Sequence, residues 1–119
     1  MKRILLILLL LATLVMVGCK SDPVSYTPDQ LYGKWQRGSE YYRYDSNMKG
    51  VTWDTSDDVS EEEAQPFEWS VSGDQLTVIH IMEMGGQIPK VYTITSLTPN
   101  ILKYQDNYNQ QFVFTRVIN

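Results

Sequence analysis

The sequence predicts an all-β domain, a small antiparallel up-and-down barrel of about eight strands with a short helical turn at its N-terminal side. Three observations carry this expectation. Short runs of alternating or β-branched residues follow one another from Trp35 to Val117, separated by polar turns. A single helix-start signal stands just before that stretch and none within it. The chain has only 119 residues, enough for one domain of modest size, and so small a sheet hides its edges best by closing on itself.

The first residues stand apart from that domain. Residues 4–17, ILLILLLLATLVMV, carry no charge and follow Lys2 and Arg3. The run is too short for a permanent membrane-spanning helix, which needs about 20 residues. A basic start, a short apolar run and a small residue before a cleavage point read as a signal peptide over residues 1–18. Cys19 follows directly and, as the one cysteine, has no intramolecular disulfide partner. Val17, Gly18 and Cys19 in MVGC resemble the processing site of bacterial lipoproteins, with Met16 where leucine is usual. The resemblance implies a lipidated mature N-terminus at Cys19, detectable by palmitate labelling, that holds the protein on a membrane. Two or more acyl chains anchor stably where one is marginal. Residues 19–27 then serve as lipid anchor and tether, and residues 28–119 form the barrel domain. Asp22 in CKSD partly resembles the short acidic export signals of Bacteroidetes surface lipoproteins. This implies a cell-envelope protein attached to the outer membrane and leaves surface display open.

Each element of the domain has its own signal. Thr27 can cap a helical turn, Pro28 suits its first position and Gln30 can complete a capping box. Gly33 ends that turn almost at once. Trp35 opens a first strand that stops at Gly38. Glu40–Tyr44 alternates with Tyr42 and Tyr44 on one face, and Asp45, Ser46 and Asn47 make a turn. Val51 and Trp53 share a face of the next strand. DTSDDVSEEE, residues 54–63, holds six carboxylates in ten positions, which resist burial and read as a long solvated loop. Phe67, Trp69 and Val71 then alternate with Glu68, Ser70 and Ser72 up to Gly73. In the strand that follows, Leu76, Val78, His80 and Met82 oppose Ile79 and Ile81, so its inward face stays open. Gly85 and Gly86 break it. Residues 90–95, 101–104 and 112–117 are rich in β-branched and aromatic residues, with LTPN as a turn between the first two.

The interior expected from this phasing is aromatic. Tyr42, Tyr44 and Trp53 come from the early strands, Phe67 and Trp69 from the middle, and Tyr92, Tyr104, Phe112 and Phe114 from the last three. Large rings bury about 150–250 Å² each and fill a small barrel quickly. The same rings could line a site for a small apolar ligand.

Two motifs at the ends of the domain now join. LYGKW places Gly33 two residues before Trp35 at the start of the first strand, and FVFTR places Arg116 in the last. With WSVSGDQLTV and YTITSLTPNILKY between them, they resemble the pattern of small lipocalin-like domains, over about residues 31–117. The resemblance implies that Gly33, Trp35 and Arg116 close one end of the barrel, the arginine lying across the tryptophan. The chain is much shorter than full-length lipocalins and lacks their paired cysteines.

Catalytic chemistry finds little footing. His80 is the one histidine, no GxSxG sequence occurs and Cys19 is taken by the anchor, so no nucleophile–base pair is in sight and no enzyme is expected. No metal or cofactor site is expected either; the acids of 54–63 could gather Ca²⁺ only without the glycine of an EF-hand loop. Without the signal, eight basic residues face 14 acidic ones, a formal charge of −6, which disfavours nucleic acid. The reading is a membrane-anchored protein that binds non-covalently, as accessory to a protein or glycan partner. Two alternatives stay open: a carrier of a small neutral or cationic apolar ligand in the barrel mouth, and a solid domain without a cavity. In an up-and-down barrel the acidic loop falls at the end opposite the helical turn, where its charge would repel fatty acids.

Overall fold

Eight strands run in sequence order and each pairs antiparallel with the next: β1 Gly33–Arg37, β2 Glu40–Tyr44, β3 Lys49–Asp54, β4 Gln65–Ser72, β5 Gln75–Ile81, β6 Gln87–Leu97, β7 Ile101–Gln105 and β8 Gln111–Arg116. Pairing of Trp35 with Arg116 and of Gln36 with Thr115 closes the barrel. This computed structural model describes residues 24–118, so the signal peptide expected over 1–18 and the lipid attachment expected at Cys19 lie outside the described residues. Among the described residues, helix is confined to three 3-10 turns, Pro28–Gln30, Thr55–Asp57 and Glu61–Glu63.

The meander sorts the connections between two ends. Turn Pro28–Gln30, the turns after β2, β4 and β6, and the chain end after β8 share one end, which the core closes. The turn at Gly38, the loop between β3 and β4, the β5–β6 turn and the β7–β8 turn share the other. The acidic loop thus stands opposite the helical turn. Tyr26 N–H donates to Gly73 O at 2.9 Å, so the segment that precedes the barrel enters at the closed end.

Cross-strand neighbours decide which residues face inward. Leu76 and Val78 are buried, and His80 continues their phase toward the open end, leaving Ile79 and Ile81 outside. The interior position of β3 is Gly50, which sits between Tyr44 of β2 and Phe67 of β4. That register corrects one expectation. Thr52 points inward and Trp53 outward, so Trp53 does not line the interior. It is nonetheless only 8% exposed, because Tyr41 stacks on it at 5.1 Å and 2° and the Glu61–Glu63 turn packs against β3. An outer apolar face covered by a loop looks in sequence like an inner one.

The acidic segment 54–63 is also more ordered than a solvated loop. Asp54 caps the Thr55–Asp57 turn by accepting from Ser56 N–H, and Glu61 is held by two cations of the outer wall.

The open end is uneven. β6 meets β7 only from Thr93 onward, and β4 meets β5 only up to the Phe67–His80 pair. The β5–β6 hairpin therefore rises above the rim on its own. Ile94 N–H donates to Asp74 O at 2.7 Å, so even-numbered residues of β6 aim their backbone groups at β5. Pro89 is turned to the free edge, where a missing N–H leaves no ladder bond unmade and blunts edge pairing.

Candidate functional site

At the closed end every donor nitrogen of Arg116 is spent on the backbone. Nε donates to Pro99 O at 2.5 Å, Nη1 to Tyr32 O at 2.7 Å and Nη2 to Gln30 O at 3.1 Å. The guanidinium lies 4.2 Å from the Trp35 ring centroid, and Trp35 Nε1–H donates to Leu31 O at 2.9 Å. Gly33 makes room: with φ +123°, a Cβ there would stand 2.5 Å from Arg116 Nη1. Gln30 Oε1 accepts from Thr27 N–H at 2.8 Å and fixes the turn itself. Gly33, Trp35 and Arg116 are thus brought together as a seal. With three carbonyls already accepting from Arg116, the seal itself offers a ligand little. Shallow grooves of about 550 Å³ along Lys34, Arg43 and Ser46 and about 240 Å³ along Asp29, Leu97 and Thr98 flank it.

The lower interior is full. Tyr44 packs on Phe67 at 5.4 Å and on Trp69 at 5.2 Å, and Tyr104 packs on Phe114 at 5.4 Å. Tyr44, Phe67, Trp69 and Tyr104 keep 3% or less of their surface, which leaves no face for a ligand-sized hollow. Of the expected lining residues only Tyr42 and Tyr92 reach the mouth, both half-buried and joined there by Phe112. Burial pushes the phenols of Tyr42, Tyr44 and Tyr104 well up, so they stay neutral.

Charged side chains ring that mouth. Arg37, in phase with Trp35, lies 4.8 Å from the Phe112 ring and pairs with Glu40 at 3.2 Å. His80 meets Tyr42 edge-on at 6.3 Å; burial, then the nearby Lys90 charge, lowers its pKa and keeps the imidazole neutral at pH 7. Where β6 leaves β7 the wall opens into a groove of about 460 Å³ lined by Lys90, Tyr92, Asp106, Tyr108 and Phe112. On the other side of the raised hairpin a second groove, about 560 Å³, runs past Gln65, Pro66, Ile81, Met82 and Met84. Met84 is 97% and Tyr108 90% exposed, with Met82 and Ile88 nearly half exposed. The open end thus carries a cluster of exposed apolar side chains, while at the closed end Val24 and Ile118 of the two chain ends are exposed.

A third groove of about 380 Å³ lies along the acidic loop, with Trp53 and Val59 in its wall beside Glu40, Asp54, Asp57 and Glu63. The acids do not converge: among the described residues no three metal-ligating side chains gather at one point. Asp54 Oδ1 accepts from the Ser56 hydroxyl at 2.6 Å and then from Ser39 at 2.7 Å, which lowers its pKa. Glu61 accepts from Lys34 Nζ at 2.7 Å and from Arg43 Nη1 at 2.8 Å. Lys34 first and Arg43 second hold its carboxyl below the usual carboxylate range.

Because the folded pKa of Glu61 is depressed, its contribution is present above the unfolded value of about 4.5 and is lost as pH falls through the folded one. Exposed pairs of this kind are worth about 0–1 kcal/mol, so the effect should be local. Glu61→Gln is expected to leave the melting temperature nearly unchanged while opening Trp53 to quenching by acrylamide. Acidification below the carboxylate range should do the same to the native chain and nothing further to the variant. Unchanged quenching in Glu61→Gln would mean that the loop is held otherwise.

Sequence reasoning missed the raised hairpin. Its one signal was the strand from Leu76 to Met82, apolar on both faces, which marks outward apolar residues that need a cover of their own. A family model described as a lipocalin-like domain matches residues 21–104. No curated protein and no solved structure matches the chain.

Proposed function

The chain belongs to the lipocalin-like domain family, and from that premise we propose that it is a lipid-anchored envelope protein whose open end binds a protein partner. The observation that carries this reading is the pairing of a filled interior with an apolar hairpin raised above the rim. A barrel that buries Tyr44, Phe67 and Trp69 against one another has no room for an enclosed ligand. Exposed methionines adapt to protein side chains better than to a glycan, which favours flat aromatic platforms. The chain enters at the closed end, so an anchor at Cys19 directs the open end away from the membrane, in keeping with attachment to the outer membrane.

A second reading, a carrier of a small neutral or cationic apolar ligand, draws support from the 460 Å³ groove beside Tyr92 and Phe112. One experiment separates the two. A photo-crosslinking residue is placed at Met84, at Tyr108 or, as control, at exposed Ser46 of the closed end. Protein-sized adducts from Met84 and none from Ser46 are expected. Adducts from Tyr108 too small to shift the band, with none from Met84, would favour the carrier. In the same cells Cys19→Ser should abolish palmitate labelling and release the protein from the membrane; a native chain that takes no label ends the anchor.

A further inference from the structure

The grooves on the β4 side of the open end are continuous. The one along the hairpin and the one along the acidic loop share Thr52 and Gln65 in their walls. Together they make a track with two unlike ends. Met82 and Met84 stand at the hairpin end with the exposed Glu83 between them in sequence. His80, Ile81 and Pro66 line the same groove, so this end is mainly apolar with a single acid. Asp54, Asp57 and Glu63 stand at the other.

The charges at the acidic end are not internally neutralised. Asp54 accepts only from serines and a backbone N–H, and among the described residues Asp57 and Glu63 make no ion pair. Glu40 already has Arg37 and Glu61 has Lys34 and Arg43, so the cations of this region are committed elsewhere. An anionic occupant would meet repulsion along half the track. A wholly apolar one would leave the carboxylates without partners, and a wholly basic one would leave the methionines uncovered.

We infer that this track docks an extended basic segment of the protein partner, with lysine or arginine at the acidic loop and an apolar side chain on Met82 and Met84. The inference rests on the protein-partner reading above and adds the partner's chemistry. Unbranched methionine side chains accommodate varied apolar shapes, so apolar character is read loosely there, whereas charge is read at the loop. Salt weakens the second contact and not the first, since added ions screen exposed charges over a Debye length of about 10 Å at 0.1 M and leave apolar contact untouched. An anionic lipid surface is the occupant that this charge disfavours.

The test uses the full chain in phosphatidylcholine nanodiscs and two labelled short peptides, one alternating Lys with Leu and one alternating Lys with Ser. The Lys–Leu peptide is expected to bind about tenfold more tightly by fluorescence anisotropy. Met82→Ser with Met84→Ser should bring it to the level of the Lys–Ser peptide. Asp57→Asn with Glu63→Gln should weaken both peptides and flatten their salt dependence. All four side chains are exposed or nearly so, and far-UV circular dichroism checks that the barrel is intact. Equal affinity of the two peptides, or affinities unmoved by either pair of substitutions, overturns the inference. Binding to phosphatidylglycerol vesicles that needs Met84 overturns it in favour of a membrane. If protein adducts still form from Met84 while neither peptide binds, the partner reading stands and only its chemistry falls.

Discussion

Trp35→Ala is expected to cost about 3–5 kcal/mol and to lower the melting temperature by roughly 12 °C or more. Trp35 keeps no exposed surface, and its indole is the floor on which Arg116 rests. Truncation removes three things together: the burial, the cation–π contact and the donor to Leu31 O. The lost ring also undoes the reason for the Arg116 conformation, so the three carbonyls it serves become vulnerable to water. Trp35→Phe separates these terms. It keeps most of the apolar contact but leaves Leu31 O unpaired, at a cost of about 1–3 kcal/mol. Trp53→Ala is the useful contrast, because Trp53 packs outside the barrel on Tyr41 and the acidic loop and should cost less. Thermal denaturation followed by circular dichroism reads all three. A Trp35→Ala shift below about 4 °C would remove the seal from the structural account.

How far these features were legible in the sequence depends on how local their causes are. Phe67 and Trp69 alternate with polar residues in one short strand, so their inward phase could be read from neighbours alone. The same holds for Tyr42 and Tyr44, and the order of hairpins alone puts the acidic loop opposite the turn at Pro28–Gln30. Trp53 needed more. Its outward direction follows from Gly50 being the interior residue of β3, and a glycine gives no hydrophobic signal. Its burial depends on Glu61 reaching Lys34 and Arg43, contacts 27 and 18 residues apart in sequence. The filled interior was equally hidden. Whether the inward rings enclose a hollow or meet depends on which of them stand opposite one another, and that is a property of register across all eight strands. The raised hairpin arises because β6 outruns β7, a difference in strand length that neither strand reveals by itself.

Gly50→Ala is expected to destabilise by about 1–3 kcal/mol, and Gly50→Val to prevent folding. The position is buried near the start of β3 and has no unusual backbone angle, so the demand for glycine comes from space alone. A Cβ there would meet the backbone carbonyl of Arg43 and stand 2.5 Å from Phe67 Cζ. The Phe67 ring cannot retreat, because Tyr44 lies against it at 5.4 Å and Tyr42 at 5.5 Å. Nor can the Arg43 carbonyl, which belongs to a strand paired on both sides. The two aromatic neighbours, Tyr44 and Phe67, cover the glycine's missing side chain from the flanking strands and so recover the packing that glycine forfeits. A methyl group must therefore displace a ring or a strand. Gly38 supplies the comparison. It has φ +59° and nothing within 4 Å of a Cβ, so only its backbone conformation matters. Gly38→Asn, a residue that tolerates that conformation, should change stability by less than about 1 kcal/mol. Urea denaturation of both variants reads the difference. Near-equal midpoints would mean that the Tyr44–Gly50–Phe67 contact is looser than these distances require, and with it the filled interior on which the partner reading stands.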